Sequence, residues 1–362
     1  MRTSLAVFVP VLTTLVLASA AATARQPQVQ SGALDAATRA AVIDGAIEQL
    51  RRAYIFADVA EKMADALRAR AAKKEYDAIT DGQVFAETLT RHLQEVSKDK
   101  HLRVLYRADG FPPRSGPPSP EERERMRAEE RRRNYAFQRV ERLDGNVGYI
   151  ELLGFSGTPE ASETAVAAMN FVAGTDALVF DLRRNGGGSP AMIGLISSYL
   201  FDDVVHLNDF YIRETDQRRQ FWTSPHVQGR RYGREKPVYV LTSARTFSAA
   251  EEFTYNLKNL KRATIVGETT GGGAHPGGVR RITDQFAIWV PNGRAINPVT
   301  KTNWEGTGIE PHVKVEAAKA LQAAHLDAVK RIRETATDPR HREQLDAVIA
   351  DLQKQVGTVQ QP

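Results

Sequence analysis

The chain has 362 residues, of which 42% are hydrophobic and 26% charged, with a formal net charge of +5 and no cysteine. That length suits one large domain with a smaller one attached, and the lack of cysteine excludes a disulfide framework and thiolate chemistry. The basic excess consists of arginines interspersed with glutamates. It lacks the basic stripe or aromatic motif of a nucleic-acid binder, so no nucleic-acid partner is expected.

The first residues read as an export signal. Met1-Arg2 is a positive start, residues 5–17 are apolar apart from Pro10, Thr13 and Thr14, and Ala22-Thr23-Ala24 is a small-x-small cleavage site. Residues 1–24 are therefore expected to be a signal peptide and the protein to be periplasmic or secreted. The apolar run is short for a membrane span and no other stretch is apolar enough, so no integral membrane protein is expected once the signal is removed.

Residues 33–107 carry a helical pattern and are expected to form a small N-terminal helical domain. Val42, Ile43, Ile47, Leu50 and Tyr54 recur at helix-face spacing, as do Val59, Met63, Leu67 and then Phe85, Leu89, Leu93, with Asp81 at a helix start. Residues 108–134 turn proline-rich and then almost wholly charged, which reads as a linker or a solvated helix. Residues 135–335 alternate between strand and helix signals and are expected to form an α/β core. The strands are expected near 147–150, 177–182, 238–241, 264–266 and 286–290, and the helices near 160–173, 191–200, 249–260 and 317–333. Residues 336–362 are expected to be a polar tail.

Two loops run from apolar strands into helices, the place where α/β folds put ligands. In the first, Gly186-Gly187-Gly188 precede Pro190 at a helix start, which exposes backbone N–H groups suited to an anion or oxyanion. Gly186-x-Gly188-x-x-Ala191 also meets the dinucleotide fingerprint, but it sits mid-chain with no preceding βαβ unit, so a nicotinamide cofactor is disfavoured. In the second loop Ser248 stands before a helix with Glu251 three residues on. The pair reads as a capping box or, alternatively, as a nucleophile favoured by the helix dipole. A serine nucleophile needs a base, and His101 and His275 are the candidates. No paired His/Glu spacing of the metalloprotease kind occurs and no lysine follows Gly271-Gly272-Gly273, so neither a metal nor a phosphate-loop cofactor is expected.

These segments together resemble a known family. Residues 181–188, 242–252, 266–273 (Val-Gly-Glu-Thr-Thr-Gly-Gly-Gly) and 305–311 (Glu-Gly-Thr-Gly-Ile-Glu-Pro) resemble, in order, the four motifs of the C-terminal processing (tail-specific) serine peptidases. The helical leader, with Tyr54 and the Asp99-x-His101 pair, resembles the branch containing the tricorn core protease and interphotoreceptor retinoid-binding protein. The resemblance implies a ClpP/crotonase-like α/β (α+β) core with a central sheet flanked by helices, a helical N-terminal domain and no PDZ domain.

The resemblance also implies a serine-type peptidase acting on polypeptides. The processing branch uses a Ser–Lys dyad whose lysine corresponds to Gly273 here, so this chain is expected to use the Ser–His–Glu arrangement: Ser248 as nucleophile, His101 as base and Glu305 as support, with Gly187 and Ala249 as the oxyanion hole and His275 as the alternative base. The tricorn branch has a serine just before its histidine, where this chain has Lys100. A lipophilic-ligand carrier and a serine esterase are the competing readings on the same fold, and a homo-oligomer is compatible with all three.

Overall fold

Local sequence signals account for the first elements of the computed structural model, which describes residues 34–112 and 118–358. The expected signal peptide lies outside them. Helix α1 (Ala36–Ala53) starts at Asp35, whose side chain accepts from Thr38 N, and α3 (Gly82–Ser97) starts at Asp81, which accepts from Val84 N; α2 (Ala57–Ala72) lies between. Their apolar stripes meet over Val42, Ile47, Leu50, Met63, Leu67, Phe85 and Leu89. Each such side chain contributes about 1.5–3 kcal/mol through burial.

The helices do not close this core by themselves. Strand β1 (Arg103–Tyr106) leaves α3, and the core is completed by Phe286, Ile288 and Val290 from a strand some 180 residues downstream. The N-terminal helical segment is thereby built into the core that follows, and residues from Ala33 onward form one unit. Helix α4 (Pro120–Arg132) begins with a capping box, Ser119 with Glu122, and has no buried residue, so the charged stretch is a solvated helix.

The core then runs β2 (Phe137–Leu143), β3 (Val147–Leu152), α5 (Ala161–Val172), β4 (Ala177–Asp181), α6 (Pro190–Ser198), β5 (His206–Ile212), β6 (Gln217–Trp222), β7 (Val238–Thr242), α7 (Ala249–Asn259), β8 (Thr264–Gly267), β9 (Gly277–Arg281), β10 (Phe286–Pro291), β11 (Gly293–Ile296), β12 (Val313–Lys314), α8 (Ala320–Thr335) and α9 (Pro339–Thr358). Six strands form the central sheet in the order β12-β8-β7-β4-β3-β2, parallel except for the β2–β3 hairpin. β4 and β7 are buried along their whole length because both faces are covered: α5, α6 and α7 pack on one side, α8 and α9 on the other.

Two three-stranded sheets stand beside the main one, ordered β1-β10-β9 and β11-β5-β6. The β5–β6 hairpin is not predicted from the sequence: β6 reads Gln-Arg-Arg-Gln-Phe-Trp, too polar to signal a strand. The C-terminal segment also departs from expectation. Where a polar tail is predicted, α9 buries Leu345 and Leu352 against α8, and these with Val348 and Ile349 form a helix-spaced stripe among charges. No helix among the described residues is long and apolar enough to cross a membrane.

Candidate active site

Ser248 occupies the turn from β7 into α7 with φ 57° and ψ −121°. A non-glycine residue in that region carries about 1–3 kcal/mol of strain, which surrounding bonds must offset. They do so from both sides. Thr246 Oγ1 donates to Leu182 O (2.8 Å), Phe247 N donates to Asn185 O (3.1 Å), and Ser248 N donates to Glu251 Oε2 (2.9 Å). The turn presents a half-buried Ser248 at the positive end of α7.

The Glu251 carboxylate goes beyond the capping role read from the sequence. It also accepts from Thr270 Oγ1 (2.5 Å), Gly272 N (2.7 Å) and Gly273 N (2.8 Å), so one buried carboxylate ties the glycine segment 271–273 to the Ser248 turn. Burial raises its pKa against the pull of these donors. Glu251→Ala strands several buried amides, each costing about 1–3 kcal/mol, and is expected to lower stability by about 3 kcal/mol or more, read as the urea midpoint at unchanged m-value. A loss below about 1 kcal/mol would mean that water replaces the carboxylate without penalty.

The glycine loop after β4 lies directly against the serine. A Cβ on Gly187, whose φ is +113°, would stand 2.8 Å from Ser248 Cβ and 3.0 Å from Ala249 N. The Gly187 N–H donates to Asn185 Oδ1 (2.9 Å), whereas the amides of Gly188 and Ala249 make no hydrogen bond among the described residues. Gly188 and Ala249 both line the cavity at Ser248. Of the two amides expected to form an oxyanion hole, that of Gly187 is engaged within its own loop and that of Ala249 is without a hydrogen bond among the described residues.

His101 reaches this cavity through β-pairing. It lies two residues before β1, and the antiparallel register Arg103↔Trp289 holds β1 on β10, beside the glycine segment. The ring is 7% exposed and packs on Phe247, next in sequence to Ser248, with centroids 4.6 Å apart. A Cβ on Gly273 would come within 2.7 Å of His101 Cε1 and closer still to Phe247. The position where the processing branch carries its lysine therefore has no room for a side chain, because the imidazole and Phe247 fill the space. Burial draws the His101 pKa down to about 4, with neighbouring Asp99 pulling the other way. His101 Nδ1 is buried without a partner, and no hydrogen bond joins the ring to Ser248 among the described residues.

Beneath His101 lies a buried acid–imidazole cluster. Asp99 Oδ1 accepts from His101 N (3.0 Å), Asp99 Oδ2 is 2.7 Å from His275 Nδ1, and Tyr54 Oη donates to Asp99 Oδ2 (3.4 Å). Glu305 Oε2 accepts from Ala274 N (2.5 Å) and lies 3.5 Å from His275 Nδ1, while Glu305 Oε1 is buried without a partner. Burial, with Asp99 close by, pushes the Glu305 carboxyl up to about 7.

His275 sits inside this cluster, edge-on to Phe56, and does not line the Ser248 cavity. Lys100, which stands in place of the tricorn-branch serine, turns outward and donates to Gly271 O (2.5 Å). Donor atoms of Asp99, His101 and Glu305 all lie within 4.8 Å of one another, a spacing a divalent cation could use. Both Asp99 oxygens are already engaged by hydrogen bonds, however, which suits an acid–base network better. Asp99 and Glu251 are the site residues to which sequence reasoning assigned no role in the chemistry; their signals were the Asp-x-His and Ser-x-x-Glu spacings.

Ser248, His101, Gly188 and Ala249 open on one cavity of about 740 Å3, walled by Phe210, Phe221 and Trp304. A strained serine at a helix N-terminus, an imidazole and unpartnered backbone amides around one cavity are the components that serine hydrolases use. Residues 146–315 match the model of peptidase family S41, and residues 34–138 match the model described as the N-terminal domain of peptidase S41 in eukaryotic IRBP. The two matched segments cover most of the chain, which belongs to peptidase family S41, a family of serine-type peptidases.

Among curated proteins the chain is similar to the tricorn protease of Thermoplasma volcanium, 24% identical over 219 residues (59% of this chain and 18% of the relative), and to carboxyl-terminal-processing peptidase 2, chloroplastic, of Arabidopsis thaliana, 29% identical over 168 residues (46% and 31%). The chain thus spans under a third of the length of these relatives. Among solved structures it shares its fold with a lipoprotein from Streptococcus agalactiae (TM-score 0.55, 17% identity, 81% of this chain and 96% of that one). A chain from Parabacteroides merdae is similar as well (TM-score 0.52, 19% identity, 77% and 90%).

Proposed function

We propose that this protein is an exported peptidase that hydrolyses peptide bonds with Ser248 as nucleophile, His101 as general base and Glu305 as electrostatic support. The observation that carries the reading is the His101 ring, brought from the N-terminal segment onto Phe247 and filling the space beside Gly273 at the serine's cavity. With its pKa drawn down, the imidazole is neutral at neutral pH and free to take the Ser248 proton, then to return it to the leaving amine. The same burial makes the imidazolium costly, and the Asp99 and Glu305 carboxylates lie close enough to offset that cost. The open amides of Ala249 and Gly188 suit the tetrahedral oxyanion, at about 3–4 kcal/mol per donor. Export rests on the signal-like pattern of residues 1–24 alone. Cleavage near polypeptide C-termini rests on the likeness to the chloroplastic processing peptidase.

The Glu305 carboxyl supplies the test. Below its raised pKa it is neutral and cannot stabilise the imidazolium; above it the charge is present. The rate at which a fluorophosphonate labels Ser248 is therefore expected to climb with pH through about 7. Glu305→Gln should remove that limb and leave a slower, flatter profile. An unchanged limb in the variant would take Glu305 out of the mechanism.

A further inference from the structure

The Ser248 cavity also reaches a buried acid, one of whose oxygens has no hydrogen-bond partner among the described residues. Glu252 lies in the first turn of α7, four residues after Ser248. Glu252 is 2% exposed, lines the cavity, and its Oε1 has no hydrogen-bond partner among the described residues. Asn208 of β5 is the one polar side chain that draws on the Glu252 carboxyl, too loosely placed for a well-formed hydrogen bond among the described residues. Burial pushes the Glu252 carboxyl up to about 8. A buried acid left in this state destabilises the free protein, and no basic side chain forms an ion pair with it among the described residues. Arg103 and Arg219 line the same cavity but are exposed.

Phe210, Ile212 and Phe221 of the β5–β6 hairpin and Trp304 give the same cavity an apolar wall. Such a wall covers a methylene stem that ends in a cationic nitrogen. We propose that Glu252 is the floor of a specificity pocket for a substrate side chain ending in a cationic nitrogen, lysine or arginine, on the acyl side of the bond cleaved at Ser248. The incoming cation meets the unpaired Oε1, holds the carboxyl ionised, and leaves its stem against the aromatic wall. A neutral chain of equal length fills the wall but leaves Glu252 unpaired, and a site built around a polar contact discriminates strongly against a ligand lacking it.

This proposal rests on Ser248 being the nucleophile, and the experiment separates the two. The full-length protein is labelled with a fluorophosphonate and, in parallel, given N-acyl-lysine and N-acyl-norleucine thioesters. The kcat/KM ratio, lysine over norleucine, is expected to be on the order of 100 in the wild type and to fall at least about tenfold in Glu252→Gln, whose amide keeps the size and loses the charge. Labelling of Ser248 with a wild-type ratio at or below unity, with no thioester turnover, or with a ratio unmoved by Glu252→Gln overturns the pocket alone. Absence of labelling overturns the nucleophile and the pocket with it. Should Glu252→Gln not fold, the wild-type ratio decides by itself.

Discussion

Ser248→Ala is expected to abolish both covalent labelling by a fluorophosphonate and turnover of any acyl substrate, lowering kcat by roughly a millionfold. The size follows from the chemistry: without Oγ no acyl-enzyme forms, and what remains is the contribution of the amides at Gly188 and Ala249 and of binding in the cavity. Stability is expected to move the other way or not at all. The side chain removed is small and half-buried, and the backbone strain at φ 57° stays in place for alanine. A variant that melts at the wild-type temperature and is no longer labelled establishes the nucleophile. Persistent labelling at another serine would move the chemistry away from the β7–α7 turn. Retained binding of a lipophile by a wild type that is never labelled would favour the carrier reading.

His101→Ala has the second largest expected effect, a loss of roughly ten-thousandfold or more in kcat. Lost catalysis alone does not distinguish a base from a packing residue, because the ring also fills space against Phe247 and Gly273. The truncation leaves a void of imidazole shape that opens on the Ser248 cavity. Added imidazole is therefore expected to restore part of the labelling rate in a saturable way, with the rescue following the neutral form of the added base. Rescue of His101→Ala together with none for His275→Ala would assign the base to His101. The reverse pattern would pass the role to His275, which the structure holds between Asp99 and Glu305. Loss without rescue at either position would point to an architectural role for both rings.

Much of the fold was legible in the sequence because burial leaves a periodic trace. The continuous apolar runs of β4 and β7 announced strands covered on both faces, and the i, i+3, i+4 spacing of Ile43, Ile47 and Leu50 announced α1. The β5–β6 hairpin was not legible, since β6 exposes most of its side chains and owes its conformation to backbone pairing with β5. Helix α9 was obscured because Leu345, Val348, Ile349 and Leu352, set among many charges, register only once α8 offers a surface to cover.

By itself the sequence determined the elements of the site that are local: a serine ahead of a helix, glycines between a strand and a helix, and Asp99 two residues from His101. These follow from chain geometry over a few residues and need no partner. Only the tertiary structure decided which histidine lines the Ser248 cavity, that Glu251 clamps the glycine segment, and that Glu252 lines the same cavity with Oε1 unpartnered. Each of those depends on the pairing of β1 with β10 or on the packing of α7 against its neighbours. The physical reason is that hydrogen bonding and desolvation are set by distances between segments far apart in the chain, which no local pattern of residues encodes.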